Sequence, residues 1–92
     1  MKKYLFNDIE YVLIKDDGNI FNYEDVVDMV TDYFNDFDYI FFDMAYNKLR
    51  LKGFYDSKNK KCSSINDIND LEKYIKNYCA TGCKWFILKK CS

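Results

Sequence analysis

The period of the apolar residues changes repeatedly along this chain, and this alternation constrains the fold more than any other feature. Stretches with a period of two residues are typical of strands, and stretches with apolar residues every three or four positions are typical of helices. The predicted strands are residues 3–6, 9–15, 38–44, 48–52 and 84–89. The predicted helices are residues 23–36 and a second segment with apolar positions from Ile68 to Tyr78.

From residue 9 onward this order is β-α-β-β-α-β, which resembles the ferredoxin-like split βαβ architecture. We therefore predict an α+β fold with an antiparallel sheet, two helices on one face and an extra N-terminal strand. A turn at Asn7 and Asp8 joins that strand to the next one. The two halves share an apolar pattern, in which Val26 corresponds to Leu71 and Tyr33 to Tyr78. Two helices on one face would leave the other face of the sheet open.

Length and composition restrict the class of protein. The 92 residues predict one compact domain over 1–92, and 20% aromatic residues with no proline predict a folded chain with an aromatic core. The absence of histidine excludes Ser-His-Asp triads and histidine-bearing zinc sites. The sequence contains no recognisable catalytic motif, and we predict a non-enzymatic protein without cofactor or metal. No apolar run approaches the roughly 20 residues of a membrane span, so we predict a cytoplasmic protein that does not contact a membrane.

The four cysteines are Cys62, Cys79, Cys83 and Cys91. In a cytoplasmic protein we expect them to be reduced thiols. Three residues separate Cys79 from Cys83, whereas zinc knuckles commonly have two. Free thiols are therefore the preferred interpretation, and a four-cysteine metal site is the alternative.

Charge is divided unevenly along the sequence. Residues 1–45 contain 11 acids and 3 bases, whereas residues 46–92 contain 4 acids and 11 bases. Such asymmetry indicates a charged partner, unless the two halves neutralise each other within the fold. We therefore expect either a monomer or a homodimer in which the acidic half of one chain meets the basic half of another.

An acidic stripe on the first predicted helix is the leading candidate for a binding site. Asp25, Asp28, Asp32 and Asp36 would share one face of that helix. Such a row could bind a basic surface on a nucleic-acid-handling protein, as a nucleic-acid mimic would. The leading hypothesis is therefore an inhibitor or modulator from a phage or mobile element, with anti-CRISPR proteins as one example. The alternative for the stripe is an ordinary solvated surface.

The competing candidate lies on the second predicted hairpin. Basic and aromatic side chains would share one face of its two strands, namely Tyr39, Phe41, Lys48, Arg50 and Lys52. On an open sheet face, such aromatic rings could stack on nucleic-acid bases while the cations bind phosphates. This pattern predicts, as the alternative function, a domain that binds single-stranded nucleic acid.

Overall fold

Five strands form one antiparallel sheet in the computed structural model, which describes residues 2–78 and 82–91. The strands are β1 (Lys3–Phe6), β2 (Ile9–Asp17), β3 (Tyr39–Ala45), β4 (Lys48–Phe54) and β5 (Trp85–Lys90). All five predicted strands are confirmed, with bounds that shift by at most two residues. Asn7 and Asp8, like Tyr46 and Asn47, have positive φ values of 51–65°. Positive φ at both central residues is what a tight two-residue hairpin turn requires.

The strand order in the sheet is β1-β2-β5-β3-β4. Because β5 pairs antiparallel with both β2 and β3, those two neighbours are parallel to each other with β5 between them. In the same way, β4 and β5 are parallel with β3 between them. The chain therefore forms two interleaved split βαβ units, although the ferredoxin-like topology itself is not confirmed.

The helical segments lie on opposite faces of the sheet. Helix α1 (Tyr23–Val26) and a 3-10 helix (Asp32–Asp36) belong to the segment on one face, where Val26 and Val30 pack against Phe42 and Phe86. A 3-10 helix (Ile68–Asp70) and helix α2 (Leu71–Tyr78) cover the other face. The residues packed there are Phe41, Phe54, Ile87, Leu71, Tyr74 and Ile75. The prediction that both helices share one face is wrong, because the central strands carry apolar residues on both sides and both sides need cover.

The first predicted helix is broken. Its cap is confirmed, because the Asn22 side chain accepts a hydrogen bond from the Glu24 amide, but the α-helix ends at Val26. Acids without a neighbouring base repel one another, and several β-branched residues have low helix propensity. In addition, the Asn7 side-chain amide donates to the Val30 carbonyl at 2.9 Å, which occupies an acceptor of the helical ladder. The second helical segment is confirmed, and Asp67 caps its first turn.

Tyr11 is a polar residue in the core. Its side chain is fully buried, and its ring lies edge-on to Phe6 at a centroid distance of 5.5 Å. Within residues 2–78 and 82–91, no atom forms a hydrogen bond with the hydroxyl, and burial raises the pKa of Tyr11 above its ordinary value of 10.0. A buried hydroxyl without a partner reduces the stability of the folded state.

We expect Tyr11→Phe to raise the free energy of unfolding by about 1 kcal/mol, measured by urea denaturation at neutral pH. Because burial raises the pKa of Tyr11 in the folded state, the unfolded chain loses this proton at lower pH, and the free energy of unfolding falls as pH rises through the raised pKa. The variant should therefore lose less stability than the parent chain above about pH 10. A variant that is less stable at neutral pH would show that the hydroxyl has a favourable interaction.

Candidate protein-interaction surface

The four aspartates of the predicted stripe lie on successive segments of the broken helix. Asp25 is in α1, Asp28 is in the turn that follows, and Asp32 and Asp36 begin and end the 3-10 helix. All four are exposed, but they do not lie on one continuous helix. Asp36 forms a salt bridge with Lys61, with 3.1 Å between Oδ2 and Nζ. The predicted role of these aspartates in partner binding stays a prediction.

The basic and aromatic residues of the competing site share one face, but that face is covered. Tyr39 is opposite Phe54 and Phe41 is opposite Lys52, with Lys48 and Arg50 on the same side of β4. Helix α2 packs there, so Phe41 is only 1% exposed and its ring meets the Tyr74 ring edge-on. The predicted open stacking platform is therefore wrong, since the Phe41 ring cannot reach a nucleic-acid base.

A buried ion pair joins β3 to β4. The Asp43 side chain is 3% exposed, and both of its carboxylate oxygens accept hydrogen bonds from the Arg50 guanidinium, with 3.2 Å from Nε to Oδ1. Sequence analysis did not single out Asp43 as a structural residue. The signal was an acid within an apolar strand, directly opposite an arginine in the hairpin. This pair and the salt bridge between Asp36 and Lys61 each join an acid of residues 1–45 to a base of residues 46–92.

The outer edge of β4 lies in a groove between the helical segments of the two faces. On one side, a hollow of about 400 Å³ is lined by residues of β4, the 64–70 segment and α2, including Lys52, Phe54, Ile65, Lys73, Tyr74 and Tyr78. On the other side, a hollow of about 350 Å³ is lined by Tyr33, Phe34, Phe37, Leu51, Ile65 and Tyr74, among others. Because the two hollows share lining residues, they form one open surface, which we call the β4 groove.

Three large side chains at the β4 groove are exposed to solvent. Tyr33 is 70% exposed, Ile65 is 74% exposed and Tyr78 is 65% exposed. The Tyr33 ring contacts the Phe34 and Phe37 rings at centroid distances of 5.1 and 5.6 Å, and these contacts restrict its position. Clustered exposed apolar side chains, tyrosine above all, are typical of protein contact sites.

The cysteines are distributed along the second half of the chain. Cys62, Cys83 and Cys91 are half-buried free thiols, and Cys79 lies outside the described residues. Loss of solvation and the nearby Asp67 raise the pKa of Cys62, which keeps this thiol protonated and weakly nucleophilic at neutral pH. Within residues 2–78 and 82–91, no cluster of three or more acidic or cysteine side chains is placed to hold a metal ion.

Comparison with known proteins identifies the family. Residues 5–89 match a family model, YutD-like, whose description is "Putative antitoxin YutD-like". The chain belongs to the YutD-like family. It is 38% identical over 86 residues to the Bacillus subtilis (strain 168) protein named "Putative antitoxin YutD", and the match covers 94% of each chain. A solution NMR structure of YutD from B. subtilis has a TM-score of 0.80 and 36% identity, covering 99% of this chain and 83% of that chain.

Membership of the YutD-like family overturns the leading functional hypothesis. The match to a family whose description is "Putative antitoxin YutD-like" contradicts the anti-CRISPR, phage and nucleic-acid-mimic predictions, which are wrong. The family description names no enzymatic activity. The solution structure of YutD supports the small α+β fold with its antiparallel sheet. No described helix is long and apolar enough to cross a membrane.

Proposed function

We propose that this YutD-like protein is an antitoxin that neutralises a protein toxin by binding it, without catalysis. The observation that carries the proposal is the 38% identity, along 94% of both chains, to the B. subtilis protein named "Putative antitoxin YutD". An antitoxin that acts by contact needs an exposed surface with side chains suited to protein recognition. The YutD-like chain offers such a surface at the β4 groove.

The side chains of the β4 groove support this choice of contact surface. Tyr33 and Tyr78 combine a large apolar ring with a polar hydroxyl and few rotatable bonds, which makes tyrosine effective at protein interfaces. Ile65 adds an exposed aliphatic side chain between them. The surface therefore provides apolar area for a partner together with lysine side chains at its margin.

We further propose that the protein acts in the cytoplasm. The described cysteines Cys62, Cys83 and Cys91 are free thiols. Free thiols persist in a reducing compartment, whereas extracellular proteins commonly oxidise theirs to disulfides. An intracellular toxin would meet the antitoxin in the same compartment.

Growth assays test the antitoxin proposal. Proteins that co-purify with the tagged chain from its native host are expressed one at a time, with and without the chain. We expect one of them to arrest growth when expressed alone and to lose that effect when the YutD-like chain is present. If no co-purified protein arrests growth, or if arrest persists although the two proteins form a complex, the antitoxin proposal is wrong.

Variants of the YutD-like chain then locate the contact. We expect Tyr33→Ala combined with Ile65→Ala to weaken toxin binding at least tenfold, because truncation of an interface anchor commonly costs about 2 kcal/mol. Leu5→Ala, which removes a 53% exposed side chain on β1 at the other edge of the sheet, is the matched control. Asp28→Lys with Asp32→Lys tests the acidic residues separately, and loss of binding only in that variant would move the contact to the acidic segment.

A further inference from the structure

The backbone groups on the outer edge of β4 point away from the sheet. The Tyr55 amide donates to the Asn66 carbonyl at 2.7 Å, and the Tyr55 carbonyl accepts from the Ile68 amide at 2.9 Å. The backbone of Tyr55 is therefore directed away from β3. Alternate residues of an antiparallel edge strand direct their backbone groups to the same side, so those of Leu49, Leu51 and Gly53 also point outward.

The hydrogen bonds of β3 with its two neighbouring strands confirm which backbone groups of β4 point outward. The Met44 amide donates to the Lys84 carbonyl at 2.9 Å, so even-numbered residues of β3 bond to the β5 side. Odd-numbered residues of β3 then bond to β4, and their partners there are Lys48, Arg50, Lys52 and Phe54. Gly53 is buried against the Phe37 ring, whereas Leu49 and Leu51 are partly exposed. Within residues 2–78 and 82–91, no hydrogen bond joins the outward groups of Leu49 or Leu51 to another segment.

The two edges of the sheet differ. On β1, the Tyr23 hydroxyl donates to the outward carbonyl of Leu5, and exposed lysines at positions 2 and 3 lie next to that edge. Occupied backbone groups and a short strand protect a sheet edge from pairing. Lysines occur at both edges, so the edges differ in the occupied Leu5 carbonyl and in length, which is four residues for β1 and seven for β4. On β4, residues 66–68 already pair with Tyr55 as a parallel bridge, so the edge accepts an added segment at one end.

We propose that β4 accepts an extended segment of the toxin as an additional strand, and that acidic and apolar residues alternate in this segment. The inference rests on the proposed antitoxin function and specifies how the partner is held. Strand addition would pair the outward amides and carbonyls of Leu49 and Leu51 with the backbone of the toxin. The walls of the β4 groove would then contact its side chains.

Charge selects the side chains of that segment. On the α2 side of β4 lie Lys48, Lys52 and, from α2 itself, Lys73, and the acid Asp70 also lines the hollow there. The Arg50 guanidinium also faces this side, but Asp43 already neutralises much of its charge. Opposite charges on neighbouring strands stabilise a sheet, and like charges destabilise it. Acidic residues of the added strand therefore belong on the α2 side.

The other side of β4 selects apolar residues. Leu49 and Leu51 alternate with the lysines and pack on the face of the sheet that carries α1. Tyr33 and Phe37 form the wall of the β4 groove there. Cross-strand apolar pairs are favourable. An added strand with its apolar residues beside the leucines therefore places its alternate, acidic residues beside the lysines.

A second copy of the chain is a poor occupant of the same edge. If two β4 strands paired antiparallel about Leu51, Arg50 of each copy would lie opposite Lys52 of the other. Such like-charged pairs oppose association. A toxin segment with carboxylates at these positions has no such cost.

Amide hydrogen exchange of the full chain tests the inference with a synthetic probe. The probe is a blocked peptide of seven residues, the length of β4, in which valine and glutamate alternate. We expect the amides of Leu49 and Leu51 to exchange at least about tenfold more slowly at millimolar peptide. The same peptide with lysine in place of glutamate should protect them much less. Equal protection by both peptides, or no protection by either, contradicts the inference.

Two pairs of variants separate backbone pairing from charge. Leu49→Pro removes the outward amide of an edge strand and should abolish protection at Leu51, whereas Leu49→Ala keeps the amide and should still bind the glutamate peptide. Lys48→Glu with Lys73→Glu should weaken binding about tenfold, and Lys2→Glu with Lys3→Glu at the other edge should not. Exchange of Leu49 and Leu51 that slows as the protein concentration rises, without peptide, would instead show that a second copy occupies the edge.

The toxin identified by growth assays distinguishes this inference from the antitoxin proposal. If the chain neutralises the toxin but the lysine and proline variants neutralise it equally well, strand addition at β4 is wrong and the antitoxin function remains. If no toxin is found but the glutamate peptide binds selectively to the β4 edge, the antitoxin function is wrong and the edge site remains.

Discussion

Phe86→Ala is expected to lower the free energy of unfolding by about 4 kcal/mol, the largest effect of any single change considered for this protein. Phe86 lies on the central strand β5 and is fully buried. Its ring stacks on Phe42 with 4.5 Å between centroids and meets Phe21 edge-on at 5.2 Å. Alanine at this position would remove both ring contacts and leave a cavity between the sheet and the segment that carries α1.

A loss of that size is a large fraction of the stability expected for the chain. At roughly 0.05–0.15 kcal/mol per residue, a 92-residue protein is stable by about 5–14 kcal/mol. The midpoint of thermal unfolding should therefore be at least about 15 °C lower in the variant, since each kcal/mol shifts that midpoint by about 4–8 °C. Tyr46→Ala is the control, because it removes a ring that is 99% exposed and should change stability by less than about 1 kcal/mol. Similar losses in the two variants would show that Phe86 is not part of the packed core.

The strands and turns of this protein could be predicted from its sequence because their signals are local. Asn7 and Asp8 tolerate positive φ, so the first hairpin turn follows from two residues. The strict alternation from Lys48 to Lys52 identifies β4, and its register with β3 follows from the short turn between them. These features depend on neighbours in the chain and need no knowledge of distant contacts.

The placement of the helices could not be predicted in the same way, because it depends on contacts between distant residues. Asn7 and Val30 are 23 positions apart, yet their hydrogen bond occupies a carbonyl that the predicted helix over 23–36 would use for its own hydrogen bonds. Phe41 was assigned to an open face by alternation alone, although the run from Ile40 to Phe42 is apolar on both sides. A strand of that kind is typical of a sheet covered on two faces, and this signal could have corrected the prediction.

The candidate site also combines features that local sequence predicts with features that depend on distant contacts. The exposure of Asp25, Asp28 and Asp32 agrees with their charge, but the break after Val26 separates them into different segments. The β4 groove combines Tyr33 with residues of α2 more than 40 positions away, so no local pattern predicts it.

The ion pair between Asp43 and Arg50 provides the second large expected effect. Asp43 is buried beneath α2, and Arg50 approaches it from the neighbouring strand with about half of its side chain exposed. Loss of one partner from a buried pair commonly costs 3–5 kcal/mol, because the remaining charge stays away from water. Since solvent reaches the guanidinium, we expect the lower part of this range or slightly less.

Arg50→Met should therefore lower the free energy of unfolding by about 2–3 kcal/mol in urea denaturation at neutral pH. Lys48→Met changes an exposed cation on the same side of the same strand that forms no salt bridge among the described residues, and it should cost less than about 0.5 kcal/mol. Arg50→Lys keeps the charge but not the paired hydrogen bonds, so we expect an intermediate loss. In a double-mutant cycle with Asp43→Asn, the coupling energy should exceed about 1 kcal/mol. A coupling near zero would mean that Asp43 is held in the sheet by interactions other than its contact with Arg50, and that the hairpin of β3 and β4 does not depend on this pair.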